Sequence, residues 1–219
     1  MEPEFWHQRW ESNQIAFHEG QVNTFLARHY ADLGLAPGQT VFVPLCGKSV
    51  DLRWLADRGA RVLGVELSPI AVESFFAEQG LTPRTRKDGP FTVWESGPIR
   101  LLCGDYFALA PADLAGVQAL YDRAALIAWP PERRADYVAR LDRLLSGPRR
   151  TLLVTLEYPQ EQMQGPPFSV PEREVQTLFA GARIERLGTQ DVLADNPRFR
   201  EKGLTRLLEC AYRIEQGGA

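Results

Sequence analysis

The residues best placed for chemistry follow two predicted buried strands. The first strand, 40–45, is a near-continuous apolar run that ends in the turn PLCGKS, where Gly47 is the only glycine. The second strand, 61–66, ends at Glu66, 19 positions after Gly47. An acidic side chain at this spacing accepts hydrogen bonds from the hydroxyls of a ribose. The two features predict a nucleoside-type cofactor between the loop after Leu45 and the carboxylate of Glu66.

The missing glycines indicate which class of cofactor fits. A dinucleotide fold needs three glycines so that the backbone can approach a pyrophosphate at a helix N-terminus. One glycine supports only a tight turn. This makes an NAD-dependent dehydrogenase a minor alternative and favours S-adenosylmethionine, a nucleoside cofactor without phosphates. A second interpretation of Glu66, equally weighted when the residue is taken alone, is that it caps the helix predicted to begin near Ser68.

Two more strand ends carry candidate residues. Asp105 follows the strand 99–103 in the sequence CGD, where it could read an adenine edge, and Tyr106 beside it offers a stacking surface. Taken alone, Asp105 is equally well explained as a loop residue. Arg123 lies in the run DRAAL after the strand 117–121. A buried guanidinium is costly unless it is paired, so Arg123 is a candidate functional residue.

Other chemistries find no support in the sequence. The three histidines lack metal-binding spacing, so no metal is predicted. The chain has no G-x-S-x-G nucleophile elbow and no paired-cysteine redox motif. The three cysteines have no close partners in the sequence and are expected to be buried free thiols in a reducing compartment.

The elements that position these residues alternate between strand and helix. Apolar runs at 40–45, 61–66, 99–103, 117–121 and 151–156 predict parallel strands joined by helical crossovers. Ser68 as the cap and Pro69 in the first turn start the helix after Glu66. The runs 182–187 and 204–214 predict an antiparallel pair at the sheet edge. The segment 81–98 predicts a loop or a small extra hairpin outside the core.

Composition limits the partners. A chain of 219 residues suits one domain with one core. A net charge of −3 lacks the basic footprint of nucleic-acid binding. No apolar stretch approaches the roughly 20 residues of a membrane span, and residues 1–11 do not read as a signal peptide. We therefore expect a cytoplasmic protein with no nucleic-acid or membrane partner. The sequence carries no signal for the oligomeric state, and a monomer is the default expectation.

The N-terminal segment is rich in aromatic residues, including Trp6, Trp10 and Phe17. Aromatic clusters usually belong to the core, but this one precedes the first strand and could cover the open end of the site as a lid. Aromatic faces stabilise a sulfonium cation and exclude water. The neighbouring His18 and Glu19 read either as an acid/base pair or, with more weight, as a loop contact that fixes this segment.

Six motifs together resemble the thiopurine S-methyltransferase family, in particular its bacterial branch. They are WHQRW at 6–10, AFHEG at 16–20, VPLCGKSVDLRWLADRG at 43–59, VLGVELS at 62–68, YDRAAL at 121–126 and GPPFSVP at 165–171. The resemblance implies a class I S-adenosylmethionine-dependent methyltransferase fold. This is one α/β Rossmann-like domain over 1–219, with a mostly parallel seven-stranded sheet and helices on both faces. An N-terminal lid and helix, 1–35, would precede the core, 36–219.

The resemblance also implies roles for individual residues. The cofactor would contact Trp10, Leu45, Glu66 and Arg123, with Asp105 and Tyr106 at the adenine. Phe17 would face an aromatic substrate, and Arg123 and Arg198 would orient and stabilise its thiolate. Arg200 competes with Arg198 for this assignment because the match around 190–202 is loose.

The implied function is S-methylation of aromatic and heterocyclic thiols such as thiopurines. One alternative is methylation of selenium or tellurium compounds by the same site as the physiological role. A further alternative, from another functional class, is a cofactor-binding module without catalysis.

Overall fold

Nine β-strands form a single mixed sheet in the computed structural model, which describes residues 3–15 and 18–217. The strands are β1 (Thr40–Val43), β2 (Arg61–Glu66), β3 (Arg84–Asp88), β4 (Phe91–Ser96), β5 (Ile99–Cys103), β6 (Val117–Arg123), β7 (Arg149–Glu157), β8 (Arg183–Asp191) and β9 (Leu208–Gln216). The helices are α1 (Pro3–Glu11), α2 (Thr24–His29), α3 (Asp51–Asp57), α4 (Pro69–Glu78), α5 (Pro131–Leu144), α6 (Glu172–Leu178) and α7 (Pro197–Glu201).

The strand order is β3-β4-β5-β2-β1-β6-β7-β9-β8. Its five central strands, β5 to β7 in this order, are parallel, as the buried apolar runs predict. β9 pairs antiparallel with β7 and with β8, which confirms the predicted antiparallel pair at one edge. The strand order reverses between β1 and β6. This is the switch point at which ligands of open α/β sheets bind.

The sheet differs from the expected one in strand number and in pairing. It has nine strands over the described residues, not seven, and half of its strand pairings are antiparallel. The two extra strands are the hairpin β3–β4, which lies in the segment expected to stay outside the core. β4 pairs with β5 and buries Phe91 and Val93 on one face of the sheet, and this burial explains why the hairpin joins the core. All five residues of β3 are exposed.

Local signals set the helix starts. The Ser68 hydroxyl accepts a hydrogen bond from the Ala71 amide, and Pro69 follows as the first residue of α4, as predicted. The helix expected within 1–35 ahead of the core is divided between 24 and 33 into α2 and a 3-10 turn, Tyr30–Leu33. The Asn23 side chain caps α2 by accepting hydrogen bonds from the amides of Phe25 and Leu26.

Two hydrophobic clusters cover the two faces of the sheet. One contains Val138 and Leu141 of α5 and Val175 of α6, and the other contains Leu52 of α3 and Phe75 of α4. Helices therefore lie on both faces, as expected. The three cysteines are free thiols, two of them buried. Within 3–15 and 18–217, no helix combines the length and apolar character needed to cross a membrane.

Candidate active site

The predicted site residues meet in one cavity of about 940 Å³ at the carboxyl ends of the central parallel strands. The loops after β1, β2, β5 and β6 contribute to its walls, together with residues 18–24 of the N-terminal segment. The predicted residues that line it are Trp10, Leu45, Glu66, Asp105, Tyr106, Arg123 and Arg198. Arg200 is exposed and does not line the cavity, so the structure brings Arg198 to this place. Phe17 lies outside the described residues.

Two turns beside the switch point have an unusual backbone conformation. Leu45 after β1 has a φ of 46°, and Ala124 after β6 has a φ of 68°. Residues with a side chain rarely adopt positive φ, at a cost of roughly 1–3 kcal/mol each, and such strain concentrates at functional sites. Both residues line the cavity. The strain thus lies where the β1 and β6 loops shape the site.

The Glu66 carboxylate connects the loop after β1 to the start of α4. One oxygen accepts a hydrogen bond from the Gly47 amide at 2.9 Å, and the other accepts one from the Ser68 amide at 2.8 Å. Burial raises the pKa of Glu66, although these hydrogen bonds partly oppose the shift. Each carboxylate oxygen can accept more than one hydrogen bond. Glu66 therefore supports the α4 terminus and still has acceptor capacity for a ligand in the cavity that it lines.

Trp10 of α1 lies over the turn that contains Gly47. The indole is 6% exposed, and a Cβ atom added to Gly47 would lie 3.4 Å from its Cζ2 atom. Gly47 has a φ of 53°, a conformation that glycine adopts without steric cost. α1 packs against α4. Trp10 thus covers the Gly47 side of the cavity, and a lid function of the N-terminal segment stays a prediction.

Asp105 and Tyr106 have different surroundings. The Asp105 carboxylate is at the cavity and accepts a hydrogen bond from the Phe107 amide at 2.9 Å. The Tyr106 side chain is buried, packs against the rings of Phe107 and Tyr137, and donates a hydrogen bond from its hydroxyl to the Tyr137 carbonyl at 3.2 Å. These contacts fix the ring at the boundary between the core and the cavity, and a stacking role for Tyr106 stays a prediction.

Phe107 and Trp129 form an aromatic wall of the cavity that the sequence did not reveal. Their rings lie edge to face, with centroids 5.5 Å apart, and both residues line the cavity. The Trp129 Nε1 group is buried and has no hydrogen-bond partner among the described residues. The one signal available in the sequence was the position of Phe107, two residues after Asp105.

Arg123 and Arg198 bring positive charge to the cavity lining. The Arg123 guanidinium lies 2.5 Å from a carboxylate oxygen of Glu19, and its side chain is 13% exposed. Burial opposes the charge of Arg123, yet Glu19 and other nearby acidic groups raise its pKa above the ordinary value. Burial lowers the pKa of Arg198, with Glu19 opposing and Arg123 adding to that shift. The Glu19 contact fits the prediction of a loop contact that fixes the N-terminal segment.

A buried polar network, formed by Asn23, Asp51, Tyr121 and Glu209, lies beside the two arginines and lines the cavity. The Asp51 carboxylate accepts hydrogen bonds from the Asn23 amide at 2.9 Å and the Tyr121 hydroxyl at 2.8 Å. The Glu209 carboxylate accepts one from the Asn23 side chain at 2.9 Å. None of these four residues was predicted from the sequence. Glu209 in the apolar run LLECAY was the available signal.

The donor set suits a nucleoside carrying a sulfonium group. Glu66 supplies a buried carboxylate, Gly47 has no side chain on the side that Trp10 covers, and aromatic side chains line the wall. Aromatic faces attract organic cations. The described residues contain no group of His, Cys, Asp and Glu arranged to hold a metal ion.

Comparisons with solved structures show the same fold. A 1,6-didemethyltoxoflavin-N1-methyltransferase from Burkholderia thailandensis, solved with S-adenosylhomocysteine, matches with a TM-score of 0.60 at 19% identity, over 97% of this chain and 86% of that chain. The magnesium protoporphyrin IX methyltransferase of Synechocystis, also solved with S-adenosylhomocysteine, matches with a TM-score of 0.60 at 17% identity, over 96% and 99% of the two chains. The fold is that of the class I S-adenosylmethionine-dependent methyltransferases.

Comparisons at the sequence level identify the family. The family model described as thiopurine S-methyltransferase matches residues 1–217. A thiopurine S-methyltransferase from Pseudomonas fluorescens Pf0-1 is 55% identical over 98% of this chain and 99% of its own length. The enzyme of the same name from Pseudomonas putida KT2440 is 52% identical over 99% and 100% of the two chains. A match of this strength over nearly the entire length means that the chain belongs to the thiopurine S-methyltransferase family.

Proposed function

We propose that this protein is an S-adenosylmethionine-dependent methyltransferase that acts on the sulfur of aromatic and heterocyclic thiols, thiopurines among them. The observation that supports this most directly is the pair of arginines, Arg123 and Arg198, at the cavity that also contains Glu66. A nucleoside ligand at Glu66 and an anionic nucleophile at the arginines would share one enclosed space. The relatives from Pseudomonas carry the name of this activity.

The residues of this chain bind the methyl donor and the substrate, orient them toward each other and exclude water from them. Trp10, Leu45, Glu66, Asp105 and Arg123 contact the methyl donor in this proposal, and Tyr106 supports that wall from within the core. S-adenosylmethionine, when bound, supplies a methyl carbon made electrophilic by its sulfonium. Alignment of the nucleophile with that carbon provides much of the catalysis, because the reaction is an in-line displacement. The N-terminal segment, 1–35, covers the core, 36–219, so that the two parts act as one domain.

Arg123 and Arg198 favour the thiolate over the thiol. The thiolate is the reactive form, and a guanidinium in a partly buried site stabilises a neighbouring anion more strongly than it would in water. Phe17 packs on the ring of the substrate in this proposal. The names of the relatives favour thiols over selenium or tellurium compounds, so the latter are not favoured as substrates. A cytoplasmic location and a monomeric state stay predictions.

The experiment is a comparison of single lysine variants over a series of thiophenols of increasing pKa. We expect Arg123→Lys and Arg198→Lys to lower kcat/KM by roughly 10–100-fold. Complete loss of one donor to a reacting anion costs about 100–1,000-fold, and lysine keeps the charge but not the guanidinium geometry. The loss should be largest for the least acidic thiols. Arg200→Lys, an exposed neighbour on the same short helix, is the matched control and should leave kcat/KM unchanged. Unchanged activity in both cavity variants would contradict the proposal.

A further inference from the structure

Glu209 is a carboxylate of the cavity for which binding of the methyl donor has no evident use. It lies on β9, is 8% exposed, and lines the same cavity as Arg123 and Arg198. One carboxylate oxygen accepts the hydrogen bond from Asn23. No described residue donates to the other oxygen or forms an ion pair with this carboxylate. Glu209 thus holds an acceptor at the cavity that a ligand could use.

A second acceptor lies beside Glu209. Gln190 is its partner in the β8–β9 register, and both residues line the cavity. The Gln190 Oε1 atom is buried and has no hydrogen-bond partner among the described residues. Buried polar atoms are rarely left unpaired. This wall of the cavity therefore suits a ligand that presents polar hydrogen atoms.

The charges around Glu209 are mostly negative. Arg123 is the positive group that acts on this carboxylate, and the carboxylates of Glu19 and Asp51 act on it with the opposite sign. A site of this composition does not carry a strong positive field that would favour only substrates that are already ionised in solution. It suits a neutral substrate that loses a proton inside the cavity, where one carboxylate accepts the proton and a guanidinium faces the resulting anion.

Heterocyclic thiols need such a proton acceptor. When a ring nitrogen adjoins the carbon that bears the sulfur, the neutral molecule carries its proton on nitrogen as a thioamide, N–H beside C=S. Methylation at sulfur requires removal of that N–H proton. A thiophenol has no ring N–H, and its S–H proton is lost readily to water. The two substrate classes therefore differ in their need for an internal base.

On the basis of the proposed function, we infer that Glu209 accepts the ring N–H proton of heterocyclic thione substrates and thereby selects for this class. The N–H bond breaks as an O–H bond forms on Glu209, and the electron pair left on nitrogen shifts through the ring carbon to sulfur. The sulfur then forms a bond to the donor's methyl carbon as the bond from that carbon to the sulfonium breaks. S-adenosylhomocysteine leaves without charge at sulfur, and Glu209 returns its proton to solvent.

The acid side of the pH profile follows from the environment of this carboxylate. Burial raises the pKa of Glu209, Arg123 lowers it, Glu19 and Asp51 raise it, and the hydrogen bond from Asn23 lowers it, with a net rise. Glu209 accepts a proton only when it is ionised. Activity toward a thione substrate should therefore fall as the pH falls through this raised pKa, whereas activity toward a thiophenol should not follow the same group.

The test compares Glu209→Gln with the wild type on 6-mercaptopurine, which has a ring N–H, and on 4-nitrothiophenol, which has none. Glutamine keeps an oxygen that can accept the hydrogen bond from Asn23 but cannot accept a proton. We expect kcat/KM for 6-mercaptopurine to fall by about 100-fold, the usual effect of losing a general base. The decrease of kcat/KM at low pH should also disappear. The value for 4-nitrothiophenol should change by about threefold or less. Glu215→Gln, on the same strand and outside the cavity lining, is the matched control.

A binding measurement provides a readout without turnover. We would record the absorption spectrum of 6-mercaptopurine bound to the protein with S-adenosylhomocysteine as a function of pH. The wild-type complex should show the ionised heterocycle at a lower pH than free 6-mercaptopurine. Glu209→Gln should lose the part of this shift that Glu209 contributes, whereas Arg123 and Arg198 keep their own part. If a thermal melt shows that the variant does not fold, the wild-type pH profiles still test the inference, because activity toward 6-mercaptopurine should fall at low pH with a group that activity toward 4-nitrothiophenol does not follow.

The outcomes separate the two proposals. If the wild type methylates both thiols and Glu209→Gln affects them equally or not at all, the role of Glu209 is wrong and the proposed function stands. A neutral thione in the wild-type complex at every pH below the ionisation of free 6-mercaptopurine would also overturn it. If the wild type methylates neither thiol, the proposed function fails, and the inference fails with it.

Discussion

Single residues at strand ends were predictable where their chemistry is local. Glu66 and Arg123 could be selected from the sequence because each follows a buried strand on the ligand-binding side of the sheet. Asp51 and Glu209 could not, because their hydrogen bonds to Asn23 join residues that are 28 and 186 positions apart. The packing of Tyr106 against Tyr137 is equally non-local. Residues with local signals were therefore predictable, and residues defined by tertiary contacts were not.

Asp122 provides a test at this scale, because it is a buried carboxylate at the end of β6. It accepts hydrogen bonds from the Leu126 amide at 3.0 Å and the Tyr137 hydroxyl at 2.7 Å. Burial nevertheless raises its pKa to about 6. The folded protein thus binds this proton more tightly than the unfolded chain, so the contribution to stability is present below about pH 4 and is lost as the pH rises through 6.

We expect the free energy of unfolding of the wild type, relative to that of Asp122→Asn, to fall by roughly 2–3 kcal/mol between about pH 4 and about pH 7. Urea titrations at several pH values measure this difference. Asp136→Asn on α5 is the control, because the Asp136 side chain is 67% exposed. Its free energy of unfolding should change with pH as that of the wild type does. Parallel curves for the Asp122 variant as well would show that its carboxyl does not have a raised pKa.

At the scale of elements, strands buried on both faces were predicted well, and the hairpin β3–β4 was predicted poorly. The apolar runs of the parallel strands are visible in any window of the sequence. In the hairpin, only Phe91 and Val93 are buried, at alternate positions, and most of the other residues are polar, with the half-buried Trp94 as an exception. Its place in the sheet depends on pairing with β5, and the sequence does not specify that partner.

The packing of β2 against the loop after β1 can be tested at Gly64. A Cβ atom at this position would lie 2.8 Å from the Cys46 sulfur and 2.6 Å from a Leu101 methyl carbon. We expect Gly64→Ala to reduce the free energy of unfolding by about 1–3 kcal/mol, the usual cost of overpacking a core. The displaced Cys46 should move the Gly47 turn and weaken binding of S-adenosylhomocysteine. Urea titration and isothermal calorimetry measure the two effects.

Two further variants define the origin of that effect. Gly147→Ala adds the same methyl group where no atom lies within 4 Å, and it should change neither quantity. Cys46→Ala in the Gly64→Ala background removes the sulfur and should restore part of the lost stability and binding. Full independence of the two substitutions would show that the β2 strand and the Gly47 turn are not coupled through this contact.

At the scale of the whole molecule, ligand binding should stabilise the fold because the cavity joins loops from the central strands to the N-terminal segment. S-adenosylmethionine at about 100 times its Kd should add about 2.7 kcal/mol, which raises Tm by roughly 5–10 °C for a domain of this size. NAD should produce no shift, because the Gly47 turn lacks a pyrophosphate cradle.

Differential scanning fluorimetry with both ligands checks this prediction, and two variants locate the effect. Glu66→Gln should lose most of the shift with S-adenosylmethionine, whereas Glu73→Gln, exposed on α4, should retain it. An equal shift with NAD would favour the dehydrogenase alternative.

Family membership and the general fold were predictable from the motifs. The ion pair between Glu19 and Arg123 was not predictable, because it depends on how the N-terminal segment lies over the sheet.

The exposed edge strand β3 has a consequence for behaviour at high protein concentration. An unpaired sheet edge is a template for strands of other molecules, and charged side chains on it oppose such pairing. β3 has the sequence RTRKD, and all five residues are exposed. Arg86 and Asp88 form an ion pair within this strand. The hairpin thus ends the sheet in a charged strand that resists aggregation, and it keeps the apolar residues of β4 away from the edge.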